Sequence, residues 1–301
     1  MLKAKMPASG LILIDKPQGI TSRKATSIVS RIFQEKKAGH LGTLDPIASG
    51  LLPILLGSAT RLVPFLEADE KEYEAVIRLG ASTTTMDKEG EVIFAMEPPE
   101  LSRDELEEIL KRFQGEIDHL IPAFSAHKRK GKRLYELARE GKEIEPEFKK
   151  VWVYELELID FGRDWLKIRA VVSPGTYVRS LADAIGRAIG CGGHLESLVR
   201  LRSGRFKLKD AVPLDKLTPE NCQQYLIPLE EVLDFEKIEL NEELGYRIRD
   251  GLSLPLEKLG LSDQPLGKKF CIFSPICFAI AEVVEKEDKK YLKPIRVFVN
   301  I

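Results

Sequence analysis

Cysteine and histidine are scarce in this chain of 301 residues, four of each, and their positions exclude two classes of protein. The cysteines at 191, 222, 271 and 277 form no C-x-x-C pair, and the histidines do not cluster with them. Neither a disulfide framework nor a metal site is expected. No stretch approaches the ~18 unbroken apolar residues of a membrane helix, and the N-terminus has no apolar run of signal-peptide length. These absences predict a folded cytoplasmic protein with no membrane segment. A basic excess is missing too: 46 Lys and Arg face 47 Asp and Glu, a net charge of -1. That balance is unusual for a nucleic-acid binder, because phosphate contacts supply much of such affinity.

What is present is unevenly placed. Residues 128 to 133 carry Lys128, Arg129, Lys130, Lys132 and Arg133 with no acid, and residues 200 to 209 carry Arg200, Arg202, Arg205, Lys207 and Lys209 with none. Acid gathers elsewhere, as from Glu97 to Asp118. In the second run the cations alternate with Val199, Leu201, Phe206 and Leu208, and the phase resets at Gly204. Period two predicts a basic ribbon on one face of a strand or hairpin, with a bulge at the glycine.

From Ala38 to Leu66 there is one acidic side chain, Asp45, in a protein whose charged residues make up 31%. Pro46 follows it and biases the preceding backbone away from helix, which puts Asp45 at a strand end or turn. Glycines on both sides let backbone or substrate approach closely. An Asp so placed suits an Asx-turn, a helix N-cap for the run after Pro46, or a reacting group.

A hydrophobic content of 44% is ample for a packed core, and the length predicts about two domains. Helices and strands alternate irregularly, which favours α+β over regular β-α units. One helix should start at a Ser22 cap and bury positions 25, 28, 29, 32 and 33. A second should follow the capping box Ser102-x-x-Glu105, and a third should run from about Ser180 to a stop at Gly190. Strands are expected at 10 to 15, 73 to 80, 151 to 160 and 165 to 173. After about residue 230 a charged linker, Glu230 to Glu243, should lead into a small β-rich domain.

The run GHLGTLDPIASGLLPILLGSATRL, residues 39 to 62, resembles the catalytic motif of the TruB-type tRNA pseudouridine synthases. The likeness extends to Leu13-Ile14-Asp15-Lys16-Pro17, Lys71-x-Tyr73, Gly175-Thr176-Tyr177-x-Arg179-Ser180-Leu181 and His194-x-x-x-Leu198-x-Arg200. It covers the chain to about residue 230. It implies a mixed, mainly antiparallel sheet flanked by helices around an RNA-binding cleft, in a catalytic domain spanning 1-230. Residues 121 to 150 resemble the RNA-clasping insertion of the stand-alone enzymes, and residues 231-301, with Arg247-x-Arg249-x-Gly251, resemble a PUA RNA-binding domain.

The activity so implied is isomerisation of uridine-55 in the tRNA T loop, together with assistance to tRNA folding. The N1 to C1′ bond breaks and C5 joins C1′, with no net oxidation, so no cofactor is expected. The resemblance makes Asp45 the catalytic residue. A buried carboxylate needs a fixed cation to stay ionised, and Arg179 matches the family's pairing arginine. Tyr73 would stack on the target base and shuttle the proton leaving C5. Tyr177 and Leu198 would line the base pocket. His40 would fill the space that the flipped nucleotide leaves. Lys128, Arg129 and Lys130 would clasp the T arm, with Arg200 and Arg202 as further RNA contacts. The enzyme is expected to act as a monomer, with no guide RNA and no obligatory protein partner. Two other readings are open: an RNA-folding factor without chemistry, and a glycoside hydrolase, which would want two carboxylates where the motif shows one. Asp87, in a Thr-rich stretch that diverges from the family, is left outside the catalytic set.

Overall fold

The computed structural model describes residues 9–66, 70–125, 127–129, 132–134 and 145–299. Its largest element is an 11-stranded sheet. The main path runs Val212–Pro213, Gly10–Lys16, Ala48–Leu56, Gly193–Ser203, Lys71–Leu79, Trp165–Val172, Phe148–Gly162, Gly115–Leu120. In this sheet two pairings are parallel, Gly10–Lys16 with Val212–Pro213 and Ala48–Leu56 with Gly193–Ser203. All its other pairings among the described residues are antiparallel, so the expected mixed, mainly antiparallel sheet is present.

The apolar run after Pro46 becomes a central strand rather than a helix. Its side chains alternate faces: Leu52, Ile54 and Leu56 enter one apolar cluster, while Leu51 and Leu55 enter another. A strand covered on both sides reads as continuous apolar sequence, which hides its period of two. Each fully buried Leu or Ile here is worth about 1.5–3 kcal/mol relative to exposure.

The three expected helices, Ser22–Phe33, Arg103–Lys111 and Val178–Ile189, pack on the same side. Val29, Phe33, Leu106, Leu110, Leu181 and Ile185 join the cluster that holds Leu52 and Ile54. The Ser102 capping box forms as expected, and Gly190 ends the third helix at φ 95°. The first helix differs at its start. Thr21 is the cap, accepting the Lys24 N–H at 3.1 Å, and Ser22 is turned inward for a task described below.

Around the strands Gly10–Lys16 and Ala48–Leu56 the opposite face is covered by a second sheet of five strands, in the order Glu236–Glu239, Lys269–Phe273, Phe278–Lys286, Lys289–Phe298, Leu254–Pro255. Cys271, Phe278, Ile280 and Phe298 share one cluster with Leu11, Leu13, Leu51 and Leu55. Arg61 donates to the Val297 carbonyl at 2.8 Å and lies over the Phe298 ring at 4.7 Å. The expected charged linker is therefore corrected. Residues Glu236–Glu239 are a strand paired with Lys269–Phe273, and Asn241 caps the helix Glu242–Arg249. Exposed acids dominate that stretch by number, but Val232, Leu233 and Leu240 are buried, and apolar burial decides the structure.

Gly50 sets the spacing between the two central strands. Its φ is 97°, and a Cβ there would lie 2.5 Å from the Arg200 carbonyl oxygen. Gly50→Ala is expected to lower stability by at least about 2 kcal/mol through strain and displaced backbone. Denaturant unfolding measures this, and an unchanged midpoint would contradict the close approach.

Candidate active site

Asp45 lies in the loop between the strands Ala38–His40 and Ala48–Leu56. Leu41, Leu44 and Ile47 point inward, with 2%, 3% and 2% of their surface exposed, so the loop is anchored like part of the core. The backbone around Asp45 is held from several elements. The Ser22 hydroxyl accepts the Leu44 N–H at 2.7 Å and donates to the Leu44 carbonyl at 2.9 Å. The Gly19 N–H donates to the Pro46 carbonyl at 2.8 Å, and Gln18 Nε2 donates to the Ile47 carbonyl at 2.9 Å. Arg200 donates to the carbonyls of Leu51 at 2.7 Å and Gly42 at 2.8 Å. The Asp45 carboxylate faces outward from this anchored loop, and its side chain is 39% exposed.

The cation beside it is Arg179, at the start of the helix Val178–Ile189. Arg179 Nε stands 2.9 Å from Asp45 Oδ2, and the guanidinium side chain is 6% exposed. The Nε–H is not aligned on an acceptor, so this contact is an ion pair more than a directional hydrogen bond. Catalytic contacts of this kind often align only around substrate. The rest of the guanidinium is fixed: Nη1 donates to the Thr85 carbonyl at 3.1 Å and lies 3.5 Å from Asp87 Oδ2, while Nη2 donates to the Phe124 carbonyl at 3.0 Å.

Electrostatics around Asp45 are opposed. Burial pushes its carboxyl above the ordinary value; the Arg179 charge pulls it back, Asp87 pushes up, and Lys16 adds a smaller pull downward. Lys16 is fully buried and donates to the Pro17 and Ile20 carbonyls at 2.9 and 2.8 Å. Burial lowers its ammonium to about 8 even though Asp45 holds it up. The arrangement gives a fixed oxygen base or nucleophile with a guanidinium at its side. Among the described residues no group of His, Cys, Asp and Glu could hold a metal ion.

Sequence models of two parts of a single enzyme type match this chain. One, described as TruB family pseudouridylate synthase (N terminal domain), covers residues 30–178. The other, described as tRNA pseudouridylate synthase B C-terminal domain, covers residues 179–234. A tRNA pseudouridine synthase B of Francisella philomiragia is 45% identical over 233 residues, 77% of each chain. The chain belongs to the TruB family of pseudouridylate synthases. A second relative of that name, from Francisella tularensis, is 41% identical over 88% of this chain and 87% of its own. Among solved structures, a Cbf5-Nop10-Gar1 complex matches with TM-score 0.68 and 26% identity, over 98% of this chain and 84% of the other. An H/ACA RNP bound to a substrate RNA containing 2'-deoxyuridine shares the fold at TM-score 0.70 and 24% identity, over 97% and 85% of the two chains.

The other expected site residues of this TruB chain fall into two groups. Tyr73 and Leu198, each 7% exposed, share one apolar cluster with Leu44 next to Asp45. Tyr177 caps the helix that carries Arg179, and its phenol is pushed up by burial within electrostatic reach of Arg179 and Asp45. His40 is half-buried, with Nδ1 3.1 Å from the Thr26 hydroxyl and Nε2 3.2 Å from the Thr43 hydroxyl. Burial and Arg200 lower its pKa, which suits a neutral ring rather than an acid.

Arg200 and Arg202 do not form the expected ribbon. Arg200 is fully buried and spends its donors on the Gly42 carbonyl of the loop and the Leu51 carbonyl of the strand that follows, so it anchors Asp45's loop and cannot reach a phosphate. Arg202 is held by Glu70 at 2.7 Å and Glu72 at 3.0 Å. Burial alone would raise Glu72, yet hydrogen bonds from Arg202 and Arg169 hold its carboxyl below the usual range. A register shift against Lys71–Leu79 lies between these two arginines, earlier than the expected Gly204. Lys128 and Arg129 sit on a short hairpin strand paired with Lys132–Arg133; Lys130 lies outside the described residues.

Two residues near the site lie outside the expected set: Asp87, noted in the sequence but left out of it, and His119, which the sequence did not flag. Asp87 is 4% exposed and shares Arg179 with Asp45. Its other oxygen accepts the Thr85 hydroxyl at 2.5 Å and the Glu89 N–H at 3.1 Å; the run of threonines before it was the available signal. His119 is 3% exposed, accepts the Tyr177 N–H at 2.9 Å, and stacks on the Tyr177 ring at 6.2 Å with planes 4° apart. Burial, reinforced by the charge of Lys149, lowers its pKa to about 4. The unfolded chain then binds a proton that the native state refuses between about 6.5 and 4, so stability falls as pH drops through that window. His119→Gln keeps an acceptor and should flatten the fall. Thermal unfolding from pH 4 to 7 tests this, and equal pH dependence in both proteins would exclude His119 as the cause.

Proposed function

We propose that this protein converts uridine-55 in the T loop of tRNA to pseudouridine, with Asp45 as the oxygen nucleophile or base at the ribose. The observation that carries the reading is the Asp45 carboxylate held 2.9 Å from a buried guanidinium on a loop whose backbone is bonded on both sides of Asp45. In the reaction the N1 to C1′ bond breaks, the freed uracil turns, and C5 bonds to C1′. C5 gives up its proton and N1 ends protonated, so nothing is oxidised and no cofactor is called for. Tyr73 and Leu198 would bound the base beside Leu44, and Tyr73 would stack on it and pass on the C5 proton. Arg179 keeps Asp45 ionised while water is excluded.

The two carboxylates at the site do not favour glycoside hydrolysis. Asp45 and Asp87 meet one arginine, and Asp87's other oxygen is already bonded to Thr85 and Glu89. It orients the guanidinium and leaves no second acid for a leaving group. The hairpin Lys128–Arg129 with Lys132–Arg133 supports a clasp on the T arm, and the sheet from Glu236 onward supports a PUA-like RNA-binding unit spanning 231-301. RNA read through such surfaces is recognised by loop shape and backbone. Four free, buried cysteines suit the reducing cytoplasm. We take the protein to act there as a monomer, with no guide RNA and no obligatory protein partner, and to help tRNA fold.

Asp45→Asn should leave RNA affinity within about twofold and cut turnover by about three or more orders of magnitude, since it removes a group that forms or breaks bonds. Tritium release from C5-labelled uridine in a T-arm minihelix measures this, and retained turnover would refute the assignment. Reversing charges within 128 to 133 should weaken RNA binding and flatten its salt dependence. A salt slope equal to wild type would remove the clasp from the mechanism.

A further inference from the structure

Ser125 carries a buried hydroxyl that nothing in the fold explains. The residue is 5% exposed, and its Oγ has no hydrogen-bond partner among the described residues. A hydroxyl removed from water without a partner loses hydration and gains nothing, so proteins retain few of them. Its location gives the reason. The preceding carbonyl, that of Phe124, accepts Arg179 Nη2 at 3.0 Å, which fixes this stretch against the guanidinium beside Asp45. The Tyr177 phenol lies near enough for Ser125 to lower its pKa against burial, although the two hydroxyls do not meet in hydrogen-bonding geometry. Tyr177 is itself immobilised by His119 on its N–H and ring, with Lys149 Nζ 5.0 Å from the ring centre.

We propose that Ser125 binds the target base: its hydroxyl, beside the Tyr177 phenol, hydrogen-bonds the polar edge of the flipped-out uracil. This rests on the pseudouridine synthase reading above. The chemistry fits a neutral hydroxyl. Along that edge uracil presents an acceptor, a donor and an acceptor: O4, N3–H and O2. When the ring turns to bring C5 where N1 had been, O2 and O4 exchange places and N3–H stays between them. A serine hydroxyl has one donor and two acceptor sites and rotates freely. The pattern along that edge is the same before and after the turn, so one hydroxyl can bond it in both orientations.

The test compares wild type with Ser125→Ala on a T-arm minihelix. The single-turnover rate should fall about 10- to 50-fold, the weight of one or two hydrogen bonds to a neutral group. The thermal midpoint should stay the same or rise, because an unpaired buried hydroxyl has been removed. Both proteins should bind a minihelix abasic at the target position equally well. An unchanged rate in an active background overturns the inference alone, as does a rate loss accompanied by a lower midpoint, which would make the hydroxyl structural. Unequal binding of the abasic RNA overturns it as well. If wild type itself makes no pseudouridine, the functional reading fails, and this inference falls with it.

Discussion

The need to keep one carboxylate ionised in a poorly hydrated place governs much of this molecule. Asp45 is set among leucines, glycines and a proline, where burial favours its neutral form. Arg179 answers that pressure, and it can do so only because its own position is enforced by two backbone carbonyls and Asp87. Arg179 and Asp87 are both buried, and a buried charge with its partner missing is far more costly than a balanced pair; Asp45 meets the same guanidinium, and Lys16 adds a smaller pull on Asp45. The loop backbone is equally constrained, with Ser22, Gly19, Gln18 and Arg200 all engaged on it.

Arg200 and Arg202 show how different two neighbouring arginines can be. Arg200 meets carbonyl oxygens and no acid, and its planar fork reaches the carbonyls of Leu51 and Gly42 at once. Arg202 is netted by two glutamates. Neither is available to phosphate, so the basic character needed for RNA must come from other surfaces of a chain whose net charge is -1. The layering has a comparable economy. At the strand Ala48–Leu56 helices cover one face of the large sheet and the second sheet covers the other, so Leu51 and Leu52, adjacent in the chain, stabilise two different contacts.

Much of this was legible beforehand. The capping box at Ser102, the Gly190 stop, and the strands at 10, 73, 151 and 165 are written in local patterns that tertiary packing leaves alone. Asp45 stood out by its isolation among apolar residues, but a reacting role for it and the choice of Arg179 as its cation came from the family resemblance. The misreadings share a cause. Ser22 looks like a cap, but Thr21 does that work locally while Ser22 bonds a residue 22 positions away. Glu230 to Glu243 reads as a linker by charge, yet its few apolar residues dock against strands from both sheets.

The sequence by itself determined that a lone carboxylate sits outside any helix at a strand end or turn, that strands and helices mix irregularly, and that a β-rich portion follows residue 230. These follow from side-chain type and from periods of two to four residues. Only the tertiary structure decided that Asp87 shares Arg179, that His119 holds Tyr177, and that Arg200 is an anchor rather than an RNA contact. Each of those joins residues some 55 to 160 positions apart, and no local rule reports which distant carbonyl or carboxylate will meet a buried cation once apolar packing has fixed the chain.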